Sequence, residues 1–147
     1  MKKISVLIII GLIVIGVYIV EPFRSEPYTP IITTREDVIP TTQGSYCWNA
    51  LVFAQCVDKV YTSPVEMAKE HQPTVVSPKQ EIKIKFKKEP LPGTLKIEQV
   101  SDESDMKIVE VNNDAISAPN EQGVYFYHVI ANWKQGDGNY AFSIEVK

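Results

Sequence analysis

Cysteine is scarce, with two residues in 147, too few for a disulfide-dense scaffold or a complete four-cysteine zinc site. A basic surplus is missing as well. Acidic residues (18) outnumber basic ones (15), leaving a net charge of −3, the wrong balance for a general nucleic-acid binder whose phosphate contacts need clustered cations. With 7 glycines and 10 prolines the chain is not low-complexity, and no internal repeat is visible. Also absent are G-x-S-x-G, H-E-x-x-H, the phosphate-binding P-loop and G-x-G-x-x-G. The two histidines supply no ligand spacing. His71 follows a short polar helix and reads as a solvated cap, while His128 alternates into an apolar strand face and reads as a hydrogen-bonded core histidine. The expectation is therefore no enzyme, no catalytic residue, no metal and no cofactor. The length leaves room for one ordinary domain plus an appendage.

What is present begins with a long apolar run. Residues 4–20 read ISVLIIIGLIVIGVYIV without a charge, and as a helix they would span roughly 26 Å, just enough to cross a bilayer. Lipid obliges the backbone to satisfy its own hydrogen bonds, so helix is the expected state despite the β-branched content. Lys2 and Lys3 precede the run, whereas Glu21 and Glu26 with a lone Arg24 follow it, which places the N-terminus in the cytoplasm and the rest outside. The rival is a cleaved secretory signal. The long apolar stretch and the β-branched Val20 before Glu21, where a small residue is needed, favour a signal-anchor over it. Residues 1–20 are thus expected as a single-pass membrane anchor. Only Met1, Lys2 and Lys3 would face the cytoplasm, so signalling would require a membrane partner.

Residues 21–43 carry Pro22, Pro27, Pro30 and Pro40, each fixing its own φ and extending its predecessor, which predicts a proline-rich extracytoplasmic linker of polyproline character. Its reach is at most roughly 70 Å at about 3.1 Å per residue, less if Ile31 and Ile32 dock on the domain. From residue 44 the period becomes two. Residues 81–87 place Ile82, Ile84 and Phe86 on one face and Lys83, Lys85 and Lys87 on the other, a half-buried strand. Residues 94–100 and 106–111 read as further strands. Residues 123–133 and 140–146 flank Gln135-Gly136-Asp137-Gly138-Asn139 and read as a hairpin with its glycines in the turn. Both faces of residues 123–133 are apolar, so that strand is expected to be central. Ser63-Pro64-Val65-Glu66 supplies an N-cap, a proline at the first helical position and a capping-box glutamate, leading into about two helical turns that end near His71 and Pro73. Residues 44–147 are accordingly expected as a mainly β domain, an immunoglobulin-like antiparallel β-sandwich with one short helix.

Cys47 and Cys56 are separated by eight residues, too many for a C-x-x-C redox motif, and outside the cytoplasm they are expected to pair and close a hairpin or Ω-loop. The closed segment, Trp48 to Gln55, has neither charge nor glycine. Its simpler reading turns Trp48, Leu51 and Phe53 inward as a plug; the alternative presents Trp48, Leu51, Val52 and Phe53 to a partner from a covalently ordered loop. Lys83, Lys85, Lys87 and Lys88, with Lys79, form the one basic stripe. As an outward row they solvate a strand and protect it if it is an edge, with attraction to anionic lipid or wall polymer as the functional alternative. Asp102, Glu103 and Asp105 lack the register of a calcium loop and read as a charged turn.

Gly44-Ser45-Tyr46-Cys47-Trp48, then Cys56-Val57-Asp58, Pro119, Gly123-Val124-Tyr125, Ala131-Asn132-Trp133 and Tyr140-Ala141-Phe142 together resemble an uncharacterised extracytoplasmic domain of Bacillus-type Gram-positive bacteria. The resemblance covers residues 44–147. It implies a domain behind a single anchor, related to those appended outside the membrane in antibiotic-sensor-like proteins, and it brings no catalytic residues. The closing G-x-Y pattern also resembles the last hairpin of immunoglobulin-like bacterial modules, including small proteinase-inhibitor sandwiches. The expected function is a membrane-anchored extracytoplasmic binding or sensing module that contacts an envelope or membrane-protein partner. A structural or assembly protein of the envelope is the second class, and an inhibitor-like module or enzyme the third.

Overall fold

The computed structural model describes residues 2–101 and 105–147, with side chains of the first helix described at Ile4 and at residues 6–19. Helix α1 (Lys2–Val20) comes first. Its described large apolar side chains are exposed, from 44% at Val17 to 78% at Tyr18, so among the described residues no apolar face of it is buried against the domain. Among the described residues no helix is long and apolar enough to cross a membrane. The unbroken stretch of described side chains, residues 6–19, is shorter than the roughly 17–25 residues of a span.

The rest is mainly β. The strands are β1 (Ile31–Thr33), β2 (Val38–Ile39), β3 (Thr42–Gln43), β4 (Tyr46–Asn49), β5 (Ala54–Val57), β6 (Thr74–Val76), β7 (Glu81–Lys85), β8 (Lys96–Val100), β9 (Met106–Ile108), β10 (Ala115–Ser117), β11 (Gly123–Trp133) and β12 (Gly136–Val146), with helix α2 (Pro64–Ala68) between β5 and β6. One sheet runs β10-β7-β1-β2; the other runs β5-β4-β12-β11-β8-β9, with β3 and β6 also paired to β12. All pairings are antiparallel except β6 with β12. Alternation explains why the sheets meet. Ile32, Ile82, Ile84 and Ile116 of the first sheet pack with Tyr127, Val129, Phe142 and Ile144 of the second in one core. β11 lies between β12 and β8, the central position its two apolar faces predict, and α2 covers its second face through Met67 and Phe126.

Four expectations change. Residues 28–43 are part of the domain and not a free linker: Tyr28, Ile32 and Ile39 are core residues, and β1 is hydrogen-bonded on both sides. Pro30 and Pro40 stand just outside short strands, where a missing N–H removes no ladder bond, so they punctuate the sheet. α2 is a little over one turn long. Ser63 Oγ does accept from Glu66 N at 3.2 Å, but the Glu66 carboxylate reaches one residue further back, to Thr62 N and Oγ1.

In the last hairpin Trp133 pairs with Gly136, leaving Lys134-Gln135 as a two-residue turn. The glycines therefore sit in β12, where their purpose is close approach: a side chain at Gly136 would strike the Cys47 carbonyl oxygen, and one at Gly138 would strike Tyr140 and Pro27. Finally, β7 is not an edge. Its lysines point outward from a strand paired on both sides, so they solvate a sheet face and protect no edge. Asp102 and Glu103 lie outside the described residues; Asp105, just beyond, is exposed.

Candidate functional site: the disulfide-closed hairpin and the foot of the helix

β4 and β5 form a hairpin in which Cys47 lies directly opposite Cys56, and the two are joined by a disulfide. The strand alternation of β4 sends Tyr46 and Trp48 inward and leaves Cys47 and Asn49 outside. That alternation divides the eight-residue segment, so neither the plug nor the presented loop holds throughout. Trp48, at 1% exposure, is a core residue and is removed from the partner-binding candidates. Leu51, Val52 and Phe53 at the tip are 74%, 68% and 39% exposed, which removes Leu51 and Phe53 from the plug. Outside α1 these are the one run of three consecutive exposed large apolar residues among the described residues. Within the tip, Ala50 N donates to Phe53 O at 2.8 Å, closing the turn.

The hairpin root is set in aromatic packing. The Trp48 ring lies 5.9 Å from Tyr28 and 5.8 Å from Trp133, and Trp133 in turn meets Phe86 at 5.2 Å. Trp133 Nε1 donates to Lys88 O, and Tyr140 Oη donates to Tyr28 O, each at 2.9 Å. Trp48 Nε1 has no acceptor, so its indole is held by packing. Burial raises the Tyr140 and Tyr127 phenols well above their ordinary range.

Residues just past α1 join this construction. Glu21 N closes one more turn onto Val17 O at 3.0 Å, and Leu51 N donates to Pro22 O at 3.0 Å, so the hairpin tip is hydrogen-bonded to the chain two residues beyond the helix. Gln55 Nε2 donates to Ser25 O at 2.6 Å. Glu21 pairs with Lys87 and, at 3.1 Å, with Arg24. The Lys87 hydrogen bond first, and Arg24 after it against the opposing effect of burial, hold the Glu21 carboxyl below its usual range; the same contact raises Lys87. Arg24 lies over the Tyr28 ring at 4.1 Å, Lys88 over the same ring at 6.0 Å, and Lys87 over Tyr18 at 5.8 Å. The basic stripe is thus not one uniform surface. Lys83 pairs with Glu81 at 3.4 Å and Lys85 is exposed, while Lys87 and Lys88 belong to the foot of the helix.

A separate concavity of about 340 Å³ opens beside α2, lined by Lys59, Tyr61, Ser63, Met67, His128 and Asn139 among others. His128 is hydrogen-bonded as expected, with Nδ1 3.3 Å from Glu98 Oε2, but it is half-buried at this concavity and not a core residue, because the β11 face it shares is only partly covered by α2. Glu98 also pairs with Lys96, and that hydrogen bond, with His128 adding to it against burial, lowers its pKa. The Ser63 hydroxyl at this cleft is engaged in capping α2. His71 is exposed beyond the end of α2. Among the described residues no group of three or more His, Cys, Asp or Glu is placed to hold a metal ion.

No family model, curated protein or solved structure matches the chain.

Proposed function

We propose that the protein is a membrane-anchored extracytoplasmic binding or sensing module, with α1 as a single-pass anchor, the N-terminus cytoplasmic and the tip formed by Leu51, Val52 and Phe53 as the contact element for an envelope or membrane partner. The observation that carries this reading is the juxtaposition of two unpartnered apolar surfaces, the all-round surface of α1 and the hairpin tip, joined by the Leu51–Pro22 hydrogen bond. A helix apolar on every side needs either a protein or a lipid surround, and the domain supplies neither face of it. Lys2 and Lys3 before residues 4–20 give the orientation. A disulfide between the strands suits an oxidising compartment and lowers the ordering cost of binding through the tip. The immunoglobulin-like character belongs to this reading at the level of a two-sheet sandwich; the disulfide lies within a hairpin, whereas antibody domains link their two sheets.

The test is photo-crosslinking in intact cells from the full chain. A photoreactive residue at position 53 should give a reproducible adduct with an envelope component, and one at position 75, where Val75 is exposed on the opposite end of the sandwich, should not. Adducts from position 75 with none from 53 would move the contact surface elsewhere and favour the structural or assembly class.

A further inference from the structure

The partner of the hairpin tip can be specified further if α1 spans the membrane as proposed above. We infer that the tip docks on lipid, with Leu51, Val52, Phe53 and Phe23 seated in the interfacial layer of the leaflet from which the domain emerges. α1 has 19 residues and so extends about 28 Å, close to the hydrocarbon thickness of about 30 Å, which puts Val20 near the core boundary. Headgroups add roughly 5–8 Å on each side of that core. Leu51 is one hydrogen bond of 3.0 Å from Pro22, so the tip stands within that layer, whichever way the helix is oriented.

The three exposed apolar side chains of the tip are joined by Phe23, 57% exposed and next in sequence to the Pro22 that accepts from Leu51 N, while other exposed apolar residues of the domain are not consecutive among the described residues. Tyr18, in the last turn of α1, is the amphipathic ring expected at a membrane–water boundary. Arg24, Lys87 and Lys88 surround the same foot, each within 6.0 Å of the ring of Tyr18 or Tyr28, with long apolar stems and cationic ends suited to anionic headgroups. The hairpin is also fixed in place: Trp48 at its root is buried, the disulfide joins its strands, and Leu51 N to Pro22 O with the Glu21 pairs to Arg24 and Lys87 hold its tip beside the chain leaving the helix. The domain is held against the bilayer, and the envelope component that the tip contacts is the lipid itself.

The experiment uses the full chain in vesicles of phosphatidylcholine and phosphatidylglycerol in equal amounts, without other protein. A solvent-sensitive fluorescent residue replaces Val52 in one variant and Val60 in another; both positions are exposed, so neither replacement disturbs the core. Flotation reads the anchor, and fluorescence reads the tip. Docking predicts that both variants float, that the probe at 52 emits at shorter wavelength and is quenched by nitroxide-labelled lipid, and that the probe at 60 stays water-like and unquenched. A floating chain with a water-like, unquenched probe at 52 overturns lipid docking and leaves the anchor standing, with the tip free for a protein. A chain that fails to float overturns both.

Discussion

Neighbouring residues in this chain have opposite fates, and the reason is one of geometry. Trp48 and Leu51 are three positions apart in a stretch without charge, yet one is 1% exposed and the other 74%. A strand ends between them: up to Asn49 the two-residue period decides which side chain enters the core, and beyond it the turn is free of that constraint. Tyr46-Cys47-Trp48-Asn49 shows that alternation in the sequence, but the uncharged residues 48–55 carry no local mark of where the strand stops. Glu98 departs from the pattern of its strand. Its strand predicts a polar outward residue, whereas it is 6% exposed because Lys96 and His128 flank it and Ile108 pairs across from it. Since the folded pKa of Glu98 is lowered, its contribution is fully present above the ordinary carboxylate value of 4.5 and is lost as pH falls through the lower folded value. Glu98→Gln should cost about 1.5–3 kcal/mol at neutral pH, the range for a hydrogen bond to a charged group. Urea unfolding across pH should show that cost shrinking below pH 4.5, and a cost unchanged by acid would refute the charge-based account.

Among the elements, those with a clean two-residue period were the most legible. β7 and β11 stand where their alternation places them, with Ile82, Ile84 and Phe86 buried and both faces of β11 in use. The strands of two or three residues in the 31–43 region were not, because local proline content speaks about backbone conformation and is silent about which sheet adopts the segment. The glycines of β12 read locally as a turn for the same reason: the close pass of Cys47 over Gly136 is a tertiary fact. The β4–β5 disulfide belongs to this scale. It closes a short loop, which the chain-entropy model values at about 2–3 kcal/mol, a fall of about 10 °C in Tm on its loss. Cys47→Ser and Cys56→Ser should each show that fall by calorimetry, and the double variant should be little worse than either single one, since the same link is gone in all three. Additive losses would mean that each cysteine contributes separately through packing.

At the scale of the whole molecule the sequence conveyed two sheets, one core and an apolar N-terminal helix. It did not convey how helix and domain meet. The junction depends on Glu21 with Lys87, 66 positions apart, and on Leu51 with Pro22, and no local pattern announces pairings of that separation. They change the picture from a domain lifted on a stalk to one footed beside the helix, with β1 built into its sheet. In the proposed arrangement α1 anchors this domain outside the cytoplasm. The test is to fuse, after Lys147, either a phosphatase that folds only in an oxidising exterior compartment or a fluorescent protein that matures only in the cytoplasm. The account predicts phosphatase activity in the membrane fraction and no fluorescence; a fluorescent, phosphatase-inactive pair of fusions would contradict it.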